Sequence, residues 1–118
     1  MLNTGAGKTG ERLAADYLRK KGYSILAVNF RCRFGEIDVI AQNRKYIAFV
    51  EVKTRGAGSF VHPLEAITPA KRARIVKTAQ FYLLAHPTKL QPRFDAAAVF
   101  MRGDGAAQIE YIENAFQA

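Results

Sequence analysis

The stretch Lys45-Tyr-Ile-Ala-Phe-Val-Glu-Val-Lys-Thr54 constrains the fold more than any other part of the chain. Read at the two-residue period of a strand, it places Ile47, Phe49, Glu51 and Lys53 on one face and Tyr46, Ala48, Val50 and Val52 on the other. Both faces begin apolar, which marks a strand covered on both sides rather than one half-exposed in an antiparallel sheet. One face stays apolar, whereas the other ends in charge. A carboxylate there is costly to desolvate unless it is paired, hydrogen-bonded or set against a cation, and Lys53 is the nearest candidate partner.

The segments around this strand extend the pattern into an α/β order. Residues 9–21 read as a helix with Leu13, Ala14, Tyr17 and Leu18 on one face, stopped by Gly22, and Glu11 falls in its first turn where an acid suits the helix dipole. Strands are expected over 23–31 and 35–42, the second joined through Asn43-Arg44-Lys45 to the opening strand as a tight antiparallel hairpin. A glycine-containing loop, 55–67, is expected to be the most mobile segment. Thr68 and Pro69 then supply an N-cap and a first helical residue. Ile75, Val76, Ala79, Tyr82 and Leu83 mark the buried face of that helix, which ends at His86-Pro87. Strands over 93–101 and 107–116, separated by Gly103-Asp104-Gly105, complete the order α-β-β-β-α-β-β. With 118 residues and 49% hydrophobic content, one domain spanning 1–118 is expected.

Charge and cysteine usage narrow the function classes. The chain carries a net +8, and all 18 of its Lys and Arg precede Gly103, beyond which lie Asp104, Glu110 and Glu113. Concentrated positive charge favours polyanions such as nucleic acid, although it also serves solubility. The single Cys32 excludes an intramolecular disulfide and a Cys-rich zinc site, and it reads as a packing residue in a reducing compartment. No apolar run approaches the ~20 residues that span a bilayer, and no signal-peptide pattern opens the chain, so a cytoplasmic protein is expected. The segment Gly5-Ala-Gly-Lys-Thr-Gly10 imitates a phosphate-binding loop, but that motif's first glycine position falls on Leu2 and no strand fits before it.

Asp38 shares a face with Glu36 and Ile40 in the strand preceding the hairpin. A turn at Asn43-Arg44 pairs residue 38 with 49 and sets it diagonal to 51; a turn at Arg44-Lys45 pairs 38 with 51. Either register brings the two carboxylates within roughly 5–8 Å at the backbone. Carboxylates that close repel and raise a pKa unless a cation lies between them. Mg²⁺ suits such a gap, taking carboxylate, water and phosphate oxygens, with the Val52 carbonyl as a further oxygen. Lys53 points the same way and can balance charge developing on a phosphate or help acidify an attacking water. By charge and spacing alone the group also reads as an ordinary ion pair at a strand end, worth ~0–1 kcal/mol if exposed.

The run Asp38, twelve intervening residues, then Glu51-Val52-Lys53 resembles the site of the PD-(D/E)xK nucleases, with Ile37 where the motif's proline stands. More closely, "GERLAADYLRKKGY", "NFRCRFGEIDVIA", "FVEVKTR", "HPLEAITPAKRARI" and "RFDAAAVF", in that order, resemble the YraN family of small uncharacterised bacterial proteins. That family is similar to archaeal Holliday junction resolvases. The resemblance implies a restriction-endonuclease-like α/β core with a mixed central sheet flanked by helices. It also implies a Mg²⁺- or Mn²⁺-dependent endonuclease cutting structured, branched or flapped DNA, or a non-catalytic nucleic-acid-binding accessory that keeps the fold. Asp38, Glu51 and Lys53 take the catalytic positions, and Glu11 joins Asp38, Glu51 and Val52 at the metal. A homodimer would suit a junction, in which two strands are cut.

Lys71, Arg74 and Lys77 recur at helical spacing as a basic stripe opposite the apolar face of the second helix. With Arg31, Arg33 and Arg55 around the hairpin they form the expected phosphate-contacting surface. Phe60 and His62 are candidate stacking partners for an unpaired base. Glu36 reads either as a second ligand or as a partner of Arg33, and Asp95 as half of a salt bridge with an arginine.

Overall fold

The structure is a computed structural model in which residues 6–56, 67–104 and 106–118 are described, with side chains from Thr9 onward. The elements are α1 (Ala6–Lys20), β1 (Ser24–Cys32), β2 (Gly35–Gln42), β3 (Tyr46–Arg55), α2 (Pro69–Ala85), β4 (Gln91–Met101) and β5 (Ala107–Phe116). The expected order is therefore found. Most of the loop expected over 55–67, including Phe60 and His62, lies outside the described residues.

The strands form one mixed sheet in sequence order. All neighbours are antiparallel except β3 and β4, which run parallel. Parallel neighbours need a crossover long enough to return the chain to its starting end, and α2 is that crossover. The sheet interior is thus β2, β3 and β4, which explains why β3 reads as apolar on both faces.

The two faces are packed differently. On one, α1 lays Ala14 and Leu18 against Val39, Ala41, Ala48, Val50 and Ala97, mostly small residues that let the helix sit close. A Cβ on Gly10 would come within 2.0 Å of the Thr54 hydroxyl, so glycine is what lets the helix approach the end of β3 there. On the other face α2 packs Ile75, Ala79 and Tyr82 over Ile37, Ile40, Ile47, Phe49, Phe94 and Phe116. The rings of Phe49 and Phe94 stack at 5.7 Å.

Helix ends are set by local chemistry. Gly22, at φ +94°, closes α1 with its own N–H to Arg19 O and the Tyr23 N–H to Leu18 O, a glycine-terminated double bond pattern that satisfies two orphan carbonyls. Thr68 caps α2 by accepting the Lys71 N–H at 3.2 Å, with Pro69 following as expected. This cap fixes the backbone at Lys71, whose side chain matters below.

Two expectations need correction. Helix α1 begins at Ala6 rather than residue 9, so Glu11 is in its second turn and is not a dipole partner at the helix start. The alternation of β2 also slips: Ile37 and Ile40, three residues apart, join the same core, and the facing strand carries Asn29 at φ +58°. Asp38 sits inside this irregularity.

Among the described residues no helix is long and apolar enough to cross a membrane.

Candidate acidic site at the open end of the β2–β3 hairpin

The hairpin turns at Arg44-Lys45, because Asn43 donates its N–H to Tyr46 O and accepts the N–H groups of Lys45 and Tyr46 on its side-chain oxygen. This is the register that sets residue 38 against residue 51. The paired ladder nevertheless stops at Val39 and Val50. In place of the next ladder bond, the Val52 N–H donates to Asp38 Oδ2 at 2.7 Å. A strand residue presents its N–H and C=O on the same edge, so the Val52 carbonyl lies on the β2 side of the strand as well.

The parting of β2 and β3 opens a cavity of about 450 Å³ lined by residues from both layers, Glu11 from α1 and Lys71 and Arg74 from α2 among them. Asp38, Glu51, Val52 and Lys53 form its floor with Glu36 and Gly35. Glu51 is buried, and its Oε2 lies 2.6 Å from Lys71 Nζ and 3.4 Å from Lys53 Nζ. Lys71, expected on the phosphate-contacting surface, thus also lines the acidic cavity and pairs with Glu51 there. Its reach follows from topology: a crossover helix begins where its strand ends, so the first turn of α2 stands over the C-terminal end of β3. Had the parallel β3–β4 pairing been inferred, that rule was the signal that would have singled out Lys71.

The electrostatics are those of a site short of positive charge around its carboxylates. Burial pushes the Asp38 carboxyl up to about 8, helped by the charge of Glu51, a hydrogen bond to Glu51 and the charge of Glu11, against the opposing Val52 N–H. Glu11 Oε1 is buried with no hydrogen-bond partner, one of two such side-chain atoms among the described residues, the other being Thr54 Oγ1. The two lysines separate. Burial lowers Lys53, with the Lys71 ammonium adding to the effect. Burial acts the same way on Lys71, yet its hydrogen bonds, Glu51 first, outweigh it and the net shift is upward.

A divalent cation fits this chemistry in its donor set: carboxylate and carbonyl oxygens, one of them buried and orphaned, and a carboxyl driven toward neutrality by burial and by its acidic neighbours. The side chains are not preassembled into a cage, since among the described residues no three of metal-ligating type converge. Lys71 instead takes the place beside Glu51.

The remaining candidates are dispersed. Arg31 pairs with Glu36 at 3.2 Å, so Glu36 is bound to Arg31 rather than to Arg33. Arg33 lies over the Phe34 ring at 4.9 Å. Arg55 donates to Thr54 O at 3.0 Å. Arg74 and Lys77 are exposed on α2, and only Arg74 lines the cavity. Asp95 does pair with an arginine, Arg93, but within a wider network that sequence reasoning missed: Arg93 also donates to the Tyr23 hydroxyl at 2.6 Å, and Tyr111 and the Asn114 N–H both donate to Asp95. A larger cavity of about 600 Å³ adjoins Arg93 at the opposite end of the sheet. The charged groups there are already matched, so the smaller acidic cavity is the functional candidate.

An α/β chain with a buried and a half-buried acid beside two lysines at a strand end matches known sequences over most of its length. Residues 10–99 match the uncharacterised protein family UPF0102, and the chain belongs to that family. It is 42% identical over 118 residues to the UPF0102 protein of Clostridium acetobutylicum, covering 98% of this chain and 97% of that one. It is 46% identical over 113 residues to that of Caldanaerobacter subterraneus subsp. tengcongensis, covering 93% of each. The UPF0102 protein of Syntrophotalea carbinolica is 45% identical over 111 residues, 93% of this chain and 89% of its own.

Proposed function

We propose that the chain is a small endonuclease of restriction-endonuclease-like fold that hydrolyses phosphodiester bonds in structured DNA with Mg²⁺ or Mn²⁺, acting in the cytoplasm. The observation that carries this reading is that Asp38, Glu51 and the unpartnered Glu11 Oε1 line one cavity together with Lys53. Buried carboxylate oxygens are as a rule hydrogen-bonded, so an unmet one in the same cavity favours a ligand over a purely structural ion pair.

In this reading Asp38, Glu51, Glu11 and the Val52 carbonyl hold the cation. Bound there, it would polarise the phosphodiester and make a water nucleophilic at neutral pH. Lys53, its ammonium weakened by burial, is the group best able to exchange a proton with that water or to neutralise the phosphate as charge develops. Lys71 neutralises Glu51 in the cation's absence and lies where it can turn to a phosphate oxygen. Arg74, at the cavity rim, and Arg31, Arg33, Arg55 and Lys77 beyond it contribute sequence-independent backbone contacts. Two scissile strands would be served by a homodimer.

A second reading, a nucleic-acid-binding accessory that does not turn over, is favoured by one specific distance: Lys71 Nζ at 2.6 Å from Glu51 already balances that charge without any metal.

The deciding experiment incubates the protein with labelled four-way-junction, flap, single-stranded and duplex DNA in Mg²⁺, Mn²⁺ or EDTA. Metal-dependent cutting that drops at least a hundredfold in Glu51→Ala and Lys53→Ala, with binding retained, is the expected outcome. Salt-sensitive binding without cutting in any metal selects the accessory.

A further inference from the structure

Helix α2 has an outer face that packing does not explain. Its sequence contains Lys71, Arg72, Arg74 and Lys77 and no acidic residue. Along that face Arg74, Lys77, Phe81 and Leu84 follow at spacings of three, four and three, a single stripe of the helix. The stripe begins at the acidic cavity, which Arg74 lines. It ends on apolar side chains left in the open: Phe81 is 39% exposed and Leu84 83%.

Phe81 does not stand alone. Phe34, at the β1–β2 turn, packs edge-on against it with ring centroids 6.0 Å apart, and the Arg33 guanidinium covers Phe34 at 4.9 Å. The turn is held at this spot by the close approach of Gly35 to α2, where a Cβ would lie 3.1 Å from the Thr78 hydroxyl. Two rings and a guanidinium plane are thus presented about 10 Å along the helix from Arg74, at 1.5 Å per residue.

We propose that Phe34, Phe81 and Arg33 form a stacking site for an unpaired nucleobase, with Arg74 and Lys77 holding the phosphates that lead from it to the acidic cavity. Charge selects the ligand class, since a stripe with two cations and no acid attracts a polyanion. The planar groups select within it: bases splayed from a single strand stack on aromatic rings and guanidinium planes, whereas a duplex keeps its base faces to itself. The inference rests on the nucleic-acid reading above and sharpens it, because it requires a substrate with unpaired bases next to the bond to be cut, such as a flap or a frayed branch point.

The test is equilibrium binding in EDTA of a fluorescent oligothymidylate, an abasic strand of the same length and charge, and a blunt duplex. The base-bearing strand should bind about tenfold more tightly than the abasic one. Phe81→Ala should remove that preference, weakening the oligothymidylate about tenfold while leaving the abasic strand and the salt slope unchanged. Phe81→Trp should keep the preference, and Phe34→Ala should reproduce the loss should Phe81→Ala fail to fold. Lys77→Ala should weaken both strands alike and lower the salt slope by about one. Equal affinity for the two strands in the parent protein overturns the stacking site, and cutting that persists then leaves the nuclease reading standing. A base preference without cutting in any metal sinks the nuclease reading and keeps the stacking site. Binding to neither strand defeats both, and an effect of Phe81→Ala seen only on anionic lipid vesicles overturns the proposal in favour of a membrane surface.

Discussion

Two acidic sites in this chain meet opposite fates. Asp95, with no exposure at all, receives a forked pair of bonds from Arg93, a hydroxyl from Tyr111 and the backbone N–H of Asn114. Every acceptor position of that carboxylate is answered. At the other site Asp38 and Glu51 share one backbone N–H and two lysines, and Glu11 Oε1 has nothing. Burial alone therefore does not distinguish a structural acid from a candidate functional one; the number of donors per carboxylate does. Where donors match acceptors, the group holds strands together. Where they fall short, the deficit is what a cation or a phosphate-bound ligand can exploit.

The sharpest way to break this contrast is to make the same neutralising change at both places. Asp95→Asn leaves the buried Arg93 with only the more distant, exposed Glu113 for a counter-ion, and should destabilise the fold by about 3–5 kcal/mol in urea denaturation. Asp38→Asn removes a charge that its surroundings already disfavour, and should leave stability unchanged or raise it at alkaline pH. If both variants lose stability equally, the acidic site is structural after all.

The pH dependence gives the next largest signal. The unfolded carboxyl titrates at about 3.9, and burial beside Glu51 pushes the folded Asp38 up to about 8. Between those values the folded state keeps a proton that the unfolded chain releases, so stability is fully present below the lower value and is lost as pH rises to the upper. Denaturation midpoints in EDTA should therefore fall from pH 5 to pH 8, and Asp38→Asn should flatten the fall. Millimolar Mg²⁺ or Mn²⁺ should oppose it in the parent protein, by about 2.7 kcal/mol at a hundred times its Kd, and not in Glu51→Gln. A midpoint indifferent to both metals would remove the cation from the account.

The smallest effect belongs to the exposed pair Arg31 and Glu36, whose side chains are 72% and 40% exposed. Arg31→Ala should change stability by no more than ~0.5 kcal/mol while weakening binding to DNA uniformly across sequences. It calibrates the other two: a surface charge acts on the ligand and not on the fold.

The sequence by itself determined the elements and much of the site. The strands over 35–42 and 107–116 lie within the bounds expected of them, and the Thr68-Pro69 start and Gly22 stop of the helices follow from capping chemistry that acts within a few residues. The face shared by Ile47, Phe49, Glu51 and Lys53 was legible because a strand's period is two. So was the meeting of Asp38 with Glu51, because a two-residue turn carries register along a hairpin.

Tertiary structure alone decided the rest. The parting of β2 from β3 at Asp38, which gives the Val52 N–H to a carboxylate, depends on a slip in alternation with no periodic signature. Lys71 could be placed against Glu51 only once β3 and β4 were known to run parallel, since that pairing sets the crossover helix over the strand's end. The same holds for the Arg93–Asp95 pair, whose further partners come from segments distant in sequence: Tyr23 on Arg93, and Tyr111 and Asn114 on Asp95. Local periodicity reports which way a side chain faces; it carries no information on which distant charge will stand opposite, and at a buried acid that opposing charge decides its chemistry.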